Sequence, residues 1–311
     1  MNPKKVIARR VREISEIVGD GIAINALSGG VDSSVVTVLG YKAIGNQLKT
    51  YFVNNGLMRR GEAQQVVSVF KEIGIRVEVI DAQKEFFDAL RGIIDPEEKR
   101  EAITQTFYNM VFSKLVWQTG AKFLLQGTIL TDVEETVAGI KRQHNVLKQI
   151  GINPQQSFGY KIIEPLVELR KDGVREIAKA FALPESVYNR MPFPGPALAT
   201  RVIGEVTPKK VKIIRQATSI VERELEHTGA FQYLAILHDD RVTGMRDGKR
   251  AYGLQVEVRC WDSVDARTAT PTKLSREMRQ KLAQKITRKI PEVVSVVFNE
   301  TPKPPSTIEA I

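Results

Sequence analysis

The chain has 311 residues, enough for one large domain or two ordinary ones. Apolar residues make up 42% and charged residues 26%, a balance that excludes a disordered, collagen-like or low-complexity protein. Lys and Arg number 46 against 36 Asp and Glu, and the net charge of +10 favours polyanionic ligands, nucleotides as well as nucleic acids. No apolar run approaches the roughly 20 residues of a membrane-spanning helix. The single cysteine, Cys260, excludes a disulfide framework and indicates a cytoplasmic protein.

The first half of the chain alternates between strand-like and helical patterns. In chain order these predict an amphipathic N-terminal helix, then strands at 21–27, 49–53, 76–80 and 121–126, separated by helices at 33–44, 61–73 and 96–120. Such alternation is typical of the α/β class, with a parallel sheet covered by helices on both faces. Residues 131–160 are polar without a lasting period, and we interpret them as a lid over an active site. Strand-like and helical patterns return at 162–182.

The second half of the chain follows a proline-rich segment. Three prolines between residues 191 and 200 predict a stiff hinge, which divides the chain into domains at 1–190 and 201–311. Beyond it, helices are predicted at 208–227 and 273–290, and strands at 231–237, 253–261 and 293–298. We therefore expect a small C-terminal α+β domain, with Cys260 in its core.

A glycine- and serine-rich segment, SGGVDSS at 28–34, lies where the first predicted strand meets the next helix. Its two glycines let the backbone turn sharply, so that successive N–H groups and the helix dipole face one anion. Three serine hydroxyls add donors. Asp32 is an acceptor, which suits a phosphate site if it holds a cation such as Mg²⁺. The lysine-containing loop of common ATPases, GxxxxGK(S/T), is absent.

The motif resembles the SGGxDS signature of the PP-loop ATP pyrophosphatases. That resemblance implies the adenine nucleotide alpha hydrolase-like fold, ATP as substrate and Mg²⁺ as its companion ion. ATP would be cleaved between the α- and β-phosphates, with the loop holding pyrophosphate as the leaving group while a substrate oxygen takes the adenylate. The loop would stabilise the charge that builds on pyrophosphate.

Further segments resemble one branch of these enzymes, the GMP synthetases, in their stand-alone archaeal form. They lie at 52–59 (FVNNGLMR), 95–100 (DPEEKR), 126–129 (QGTI), 190–196 (RMPFPGP) and 303–309 (KPPSTIE). The resemblance covers essentially the whole chain and implies a ligase of purine biosynthesis that forms a C–N bond. In the implied reaction, O2 of xanthosine 5′-monophosphate (XMP) attacks the ATP α-phosphate. Ammonia then displaces AMP from adenyl-XMP to give GMP.

Residue roles follow from the same resemblance. ATP would be bound by Ser28, Gly29, Gly30, Val31, Asp32, Ser33, Ser34, Val53, Gly127 and Thr128. Catalysis would involve Asp32, Lys141, His144 and Lys171, and the metal would be held by Asp32, Asp132 and Glu135. XMP would be bound by Arg201, Arg259, Asp265, Lys303, Thr307, Ile308 and Glu309. Other interpretations stay open: a solvated loop for Asp132 and Glu135, a plain surface histidine for His144, and a strand ion pair for Arg259.

The expected partners also follow. The motif begins only 27 residues into the chain, which is too few for a fused glutamine amidotransferase domain before it. Such a domain needs a nucleophilic cysteine, and Cys260 lies in a predicted strand of the C-terminal domain. We therefore expect a separate glutamine amidotransferase subunit, or free ammonium, to supply ammonia. The C-terminal domain is expected to form a homodimer. Two rival hypotheses remain: another PP-loop adenylating enzyme (an NAD synthetase or a tRNA-modifying enzyme), or a non-catalytic nucleotide-binding protein. The tail favours the GMP synthetases, and no nucleic-acid or membrane partner is expected.

Overall fold

The computed structural model describes residues 1–137, 159–264 and 267–310, without the side chains of 135–137. Its residues group into two compact units. The first contains Met1–Asn54, Gly61–Ala82 and Gln105–Arg190, and the second contains Asn55–Arg60, Gln83–Thr104 and Met191–Ile311. Residues 55–60 and 83–104 thus group with the C-terminal part, and the domain boundaries given above stay a prediction. In the described residues, the helices are all too short or too polar to cross a membrane.

A five-stranded parallel sheet forms the centre of the first unit, as predicted. Its strands are β1 Ala23–Ala26, β2 Leu48–Asn54, β3 Val77–Asp81, β4 Phe123–Leu125 and β5 Lys161–Ile163. They lie in the order β3-β2-β1-β4-β5, and each neighbouring pair is parallel. The helices described along the whole chain are α1 Pro3–Val18, α2 Val31–Ile44, α3 Glu62–Glu72, α4 Gln83–Ala89, α5 Pro96–Gln105, α6 Ser113–Thr119, α7 Leu130–Val137, α8 Lys171–Ala180, α9 Glu185–Tyr188, α10 Pro208–Leu225 and α11 Arg276–Lys289.

The strand order reverses at β1. The chain moves outward from β1 through β2 to β3, then crosses back to β4 on the other side of β1. Because crossovers between parallel strands are right-handed, connections that run in opposite directions place their helices on opposite faces. Open sheets of this kind bind ligands where the order reverses, outside the carboxyl ends of the strands. In this unit that position lies between the turns that follow β1 and β4.

Two sequence predictions for the first half of the chain differ in detail from the structure. The stretch 96–120 is not one α-helix, because a π-helix, Thr106–Phe112, separates α5 from α6. Its wider turn brings the rings of Phe107 and Phe112 into a stack with centroids 5.6 Å apart, and Phe112 also meets the buried Tyr160 edge-on at 6.1 Å. Residues 131–137, predicted to be irregular, belong to α7. The rest of the predicted lid, 138–158, lies outside the described residues.

A mainly antiparallel sheet forms the second unit, in agreement with the predicted small α+β domain. Its strands are β6 Gln232–Arg246, β7 Lys249–Asp262, β8 Thr270–Pro271 and β9 Val293–Phe298, with β9 parallel to β7. The β6–β7 hairpin is longer than predicted. Its turn, Asp247-Gly248, has both φ angles positive, at 50° and 74°, the conformation that an Asp-Gly pair adopts between two strands. The buried Ile308 packs in one core cluster of this unit.

The buried Lys99 on α5 gives a pH-dependent prediction. Its side chain is almost fully buried, and Nζ donates to the Val202 carbonyl at 3.0 Å. Burial, with help from Lys210, lowers the pKa of Lys99 to about 8, against the opposing effect of Asp239 and Asp95. Between pH 8 and 10.5, the ordinary lysine pKa, the unfolded chain therefore binds more protons at Lys99 than the folded chain does. The contribution of Lys99 to the free energy of unfolding rises with pH over this range. We expect the unfolding free energy of the wild type, relative to Lys99→Met, to increase by up to about 3 kcal/mol from pH 8 to 10.5.

Chemical denaturation at several pH values measures this difference. Lys209→Met, at an exposed lysine of the same unit, is the matched control. A difference between wild type and Lys99→Met that stays flat over this range would contradict the prediction.

Candidate functional site

The turn between β1 and α2 is built as an anion cradle. Gly29 has φ +78°, a conformation that glycine adopts without strain. Gly30 precedes the helix in an extended conformation, and no side chain caps the first turn of α2 in the described part of the chain. The first N–H groups of a helix have no partner within the helix, and the helix dipole makes this end positive. The turn therefore presents unpaired donors at the position where open sheets of this kind bind ligands.

The serines of the turn hold one another in place. Ser33 Oγ donates to the Gly30 carbonyl at 3.1 Å and accepts from the Ser28 N–H at 3.2 Å. The Ser28 and Ser33 hydroxyls lie 3.0 Å apart, and the Gly30 N–H reaches Ser28 Oγ at 3.4 Å. Ser28 is exposed, whereas Ser34 is fully buried. Ser33 is half-buried, and among the described residues the Ser34 hydroxyl has no hydrogen-bond partner.

Gly127, in the turn after β4, lies against the cradle. A Cβ atom at this position would lie 3.2 Å from both the Asp32 carbonyl carbon and the Ser33 nitrogen, closer than most real Cβ contacts. A larger residue would push the two turns apart. Glycine at 127 therefore lets the turns after β1 and β4 approach each other closely.

Asp32 is the acidic residue of the cradle. Its Oδ2 accepts from Lys171 Nζ at 2.5 Å, at the first residue of α8. Burial raises the pKa of Asp32, the Lys171 ammonium acts to lower it, and Asp132 raises it further. The other oxygen, Oδ1, is buried and has no hydrogen-bond partner among the described residues. A buried carboxylate oxygen left without a donor is a suitable ligand for a divalent cation.

The described residues contain no group of three or more His, Cys, Asp or Glu side chains that could hold a metal unaided. Asp132 Oδ2 accepts from the Ile129 N–H at 3.1 Å, at the start of α7. Asp32 thus fits a metal ligand, with Asp132 near enough to influence its charge.

The remaining predicted residues of the first unit have different placements. Val53 lies near the carboxyl end of β2, beside β1, and Thr128 is buried after Gly127. Val31 is buried too, so only its backbone can face a ligand. Lys141 and His144 lie outside the described residues, as does the side chain of Glu135.

Arg190 and Glu62 also contact the cradle, although neither was predicted to have a role there. Arg190 Nη1 donates to the Gly29 carbonyl at 3.0 Å, and Nη2 forms an ion pair with Glu62. Glu62 is buried at the start of α3. The two residues are 128 positions apart, and no local sequence pattern predicts such a contact.

The C-terminal segment is anchored in the second unit by two arginines. Arg201 is fully buried and donates to Glu309 through two bonds, Nε to Oε2 at 3.1 Å and Nη2 to Oε1 at 3.0 Å. Gln232 donates to the same carboxylate at 2.8 Å. The Arg201 guanidinium also lies over the Phe193 ring, 4.9 Å from its centroid. Arg201 is therefore engaged with the tail itself.

Arg259 holds the backbone of the same segment. Its Nη1 donates to the carbonyls of Thr307 at 2.7 Å and Glu309 at 3.2 Å, and its Nε donates to Glu257 at 2.6 Å. Burial acts to raise the pKa of Glu257, but bonds from His238, Arg259 and Asn299 outweigh it and lower that pKa to about 2. Arg259 thus forms a strand ion pair, the alternative left open above, and at the same time anchors the tail.

The other tail residues divide between core and surface. The Ile308 side chain belongs to the core, whereas Thr307 is exposed and donates to the Glu309 carbonyl at 2.5 Å. Lys303 pairs through its backbone with Ala269, in both directions, at 2.8 and 3.1 Å. Asp265 lies outside the described residues.

The sheet, with a glycine- and serine-lined cradle where its order reverses, defines a nucleotide-binding unit of the PP-loop synthetase class. Residues 19–129 match the family described as asparagine synthase, and residues 219–310 match the family described as GMP synthase C terminal domain. Curated relatives, each named as one subunit of GMP synthase (glutamine-hydrolyzing), are 48% identical in Pyrococcus abyssi, 46% in Archaeoglobus fulgidus and 44% in Methanocaldococcus jannaschii, each over 99% of both chains. The chain belongs to this family of GMP synthase subunits.

Proposed function

We propose that this chain converts XMP to GMP with consumption of ATP and ammonia, and releases AMP and pyrophosphate. The observation that carries the proposal is the cradle, whose unpaired donors suit a pyrophosphate group and whose Asp32 carboxylate suits its metal. Membership of the GMP synthase family supports XMP as the acceptor over the NAD synthetase, tRNA-modifying and non-catalytic alternatives.

The proposed reaction has two steps. O2 of XMP attacks the α-phosphorus of ATP as a ring N–H of XMP gives up its proton. The bond from that phosphorus to the oxygen that bridges it to the β-phosphorus breaks, so pyrophosphate leaves with the electron pair. Ammonia then adds at C2 and loses one proton, and the C2–O bond breaks as AMP departs with the electron pair. Adenylation turns a poor leaving group into a good one, and the cradle stabilises the charge that grows on pyrophosphate in the first step. Lys171, whose Nζ donates to Asp32 Oδ2, is proposed to interact with the phosphates as well.

Asp32 is the residue that would hold Mg²⁺, with Asp132 assisting. When bound, the ion would neutralise charge on the phosphates during transfer. Lys141, His144 and Glu135 stay predicted parts of the lid.

The relatives are named as one subunit of a glutamine-hydrolysing enzyme, which supports a separate partner that releases ammonia from glutamine. We also propose a homodimer through the C-terminal unit. Its sheet leaves Tyr252 62% and Met245 68% exposed, which suits a contact with a second copy. Light scattering at high concentration measures the mass, and a monomer would contradict the homodimer.

The tail at 303–309 is proposed to bind XMP, with Lys303 on its phosphate. Arg201 and Arg259 would then act by fixing the shape of the tail, since both are engaged with residues 307–309.

The direct test is an assay of AMP and pyrophosphate with ATP, Mg²⁺ and ammonium, offering XMP, nicotinate adenine dinucleotide or tRNA as the acceptor. We expect stoichiometric AMP, pyrophosphate and GMP with XMP alone. AMP release that depends on tRNA, or ATP binding without turnover on any acceptor, would overturn the proposal.

A further inference from the structure

We propose that Arg190 is a positioning residue of the pyrophosphate cradle, which sets the direction of the Gly30 N–H through the carbonyl of Gly29. The inference rests on the proposed function in that it takes the cradle to be the pyrophosphate site. It assigns a role to the Arg190–Glu62 ion pair, in which Glu62 is buried and Arg190 is half-buried.

The Gly29–Gly30 peptide bond links the Arg190 contact to the direction of the Gly30 N–H. In a trans peptide the C=O and the following N–H point in opposite directions. Arg190 Nη1 holds the Gly29 carbonyl at 3.0 Å, so the Gly30 N–H is directed away from Arg190. Among the described residues, that N–H contacts Ser28 Oγ at 3.4 Å, near the limit of a hydrogen bond. A phosphate oxygen could therefore replace this weak contact with a stronger one.

Gly29, which has a positive φ, is flexible, so the peptide that follows it needs a contact that fixes its orientation. Glycine visits both signs of φ freely, so the Gly29–Gly30 peptide could turn over if nothing held it. A turned peptide would present a carbonyl oxygen to the pyrophosphate and repel it. Arg190 stabilises the orientation that presents a donor, before any ligand arrives.

The ion pair with Glu62 fixes the orientation of the Arg190 guanidinium. The Glu62 side chain is only 3% exposed, and it fixes one end of the planar guanidinium while the other end meets the Gly29 carbonyl. Arginine can serve both partners because its donors form a rigid fork, which a lysine ammonium cannot reproduce. Space is also restricted, since a Cβ on Gly29 would lie 2.8 Å from both Arg190 Nη1 and Val66 Cγ2.

Two variants test the role. Arg190→Lys keeps the charge opposite Glu62 but loses the fork. The double variant Arg190→Met with Glu62→Leu removes both charges together, so no buried charge is left alone. Arg9→Lys, in an exposed ion pair with Glu168 in the same unit, is the matched control.

The measurement is the affinity of inorganic pyrophosphate with Mg²⁺, by calorimetry without XMP, together with the KM for XMP and the melting temperature. We expect both variants to bind pyrophosphate about tenfold more weakly, with the KM for XMP within twofold of the wild type and the control unchanged. Pyrophosphate affinity within twofold of the wild type in both variants would overturn the positioning role, whatever the melting temperature. If the unmodified protein binds no pyrophosphate, the assignment of the cradle itself fails, which separates the two outcomes.

Discussion

Replacing Asp32 with Asn is expected to lower kcat by about a thousandfold or more, because the change removes the charge beside the phosphates. The amide keeps the size of the side chain, but it is a poor metal ligand and cannot form an ion pair with the Lys171 ammonium. The loss should appear as a slower chemical step and as a higher Mg²⁺ requirement, with the KM for XMP little changed. Steady-state kinetics across a Mg²⁺ titration measures all three quantities.

Asp20→Asn is the matched control, since Asp20 is an exposed carboxylate in the turn before β1. If Asp32→Asn released pyrophosphate at the wild-type rate, the proposed role of Asp32 in holding the metal would be wrong.

Replacing Glu309 with Ala is expected to raise the KM for XMP at least tenfold and leave the KM for ATP within twofold. The change leaves Arg201, which is fully buried, without the carboxylate that it pairs with. Removing one partner of such a pair costs about 3 kcal/mol, and the tail from Thr307 onward should lose its fixed shape. Initial-rate kinetics with each substrate varied in turn, and thermal unfolding, measure the two effects.

The control for Glu309→Ala is Glu300→Ala, which removes the partner of Arg279 in an exposed ion pair of the same unit. Such pairs contribute little, so both KM values and the melting temperature should hardly change. A Glu309→Ala protein with a lower melting temperature but an unchanged KM for XMP would limit the tail to a structural role.

Local sequence patterns predicted the parts of the fold that depend on local chemistry. The alternation of strands and helices, and a glycine turn between β1 and α2, follow from hydrophobic periodicity and from the conformations open to glycine. The Asp247-Gly248 turn could be predicted in the same way, because Asp-Gly is a strong hairpin signal. The longer β6–β7 hairpin could have been predicted from that turn.

Contacts between distant parts of the chain could not be predicted in the same way. Arg190 meets Glu62 and Gly29 across 128 and 161 positions, and Arg201 meets Glu309 across 108. The sequence around an arginine does not show which carboxylate it pairs with, because tertiary packing decides which carboxylate lies within reach. The π-helix within 96–120 is similar, since its aromatic contacts include Tyr160, far along the chain.

The proposed reaction depends most on the attack of XMP O2 on the α-phosphorus of ATP. The most direct test is a single-turnover reaction with XMP carrying ¹⁸O at C2, followed by mass spectrometry of both phosphate products. We expect the label to appear in AMP and to be absent from pyrophosphate. Unlabelled AMP formed alongside GMP would contradict the proposed reaction.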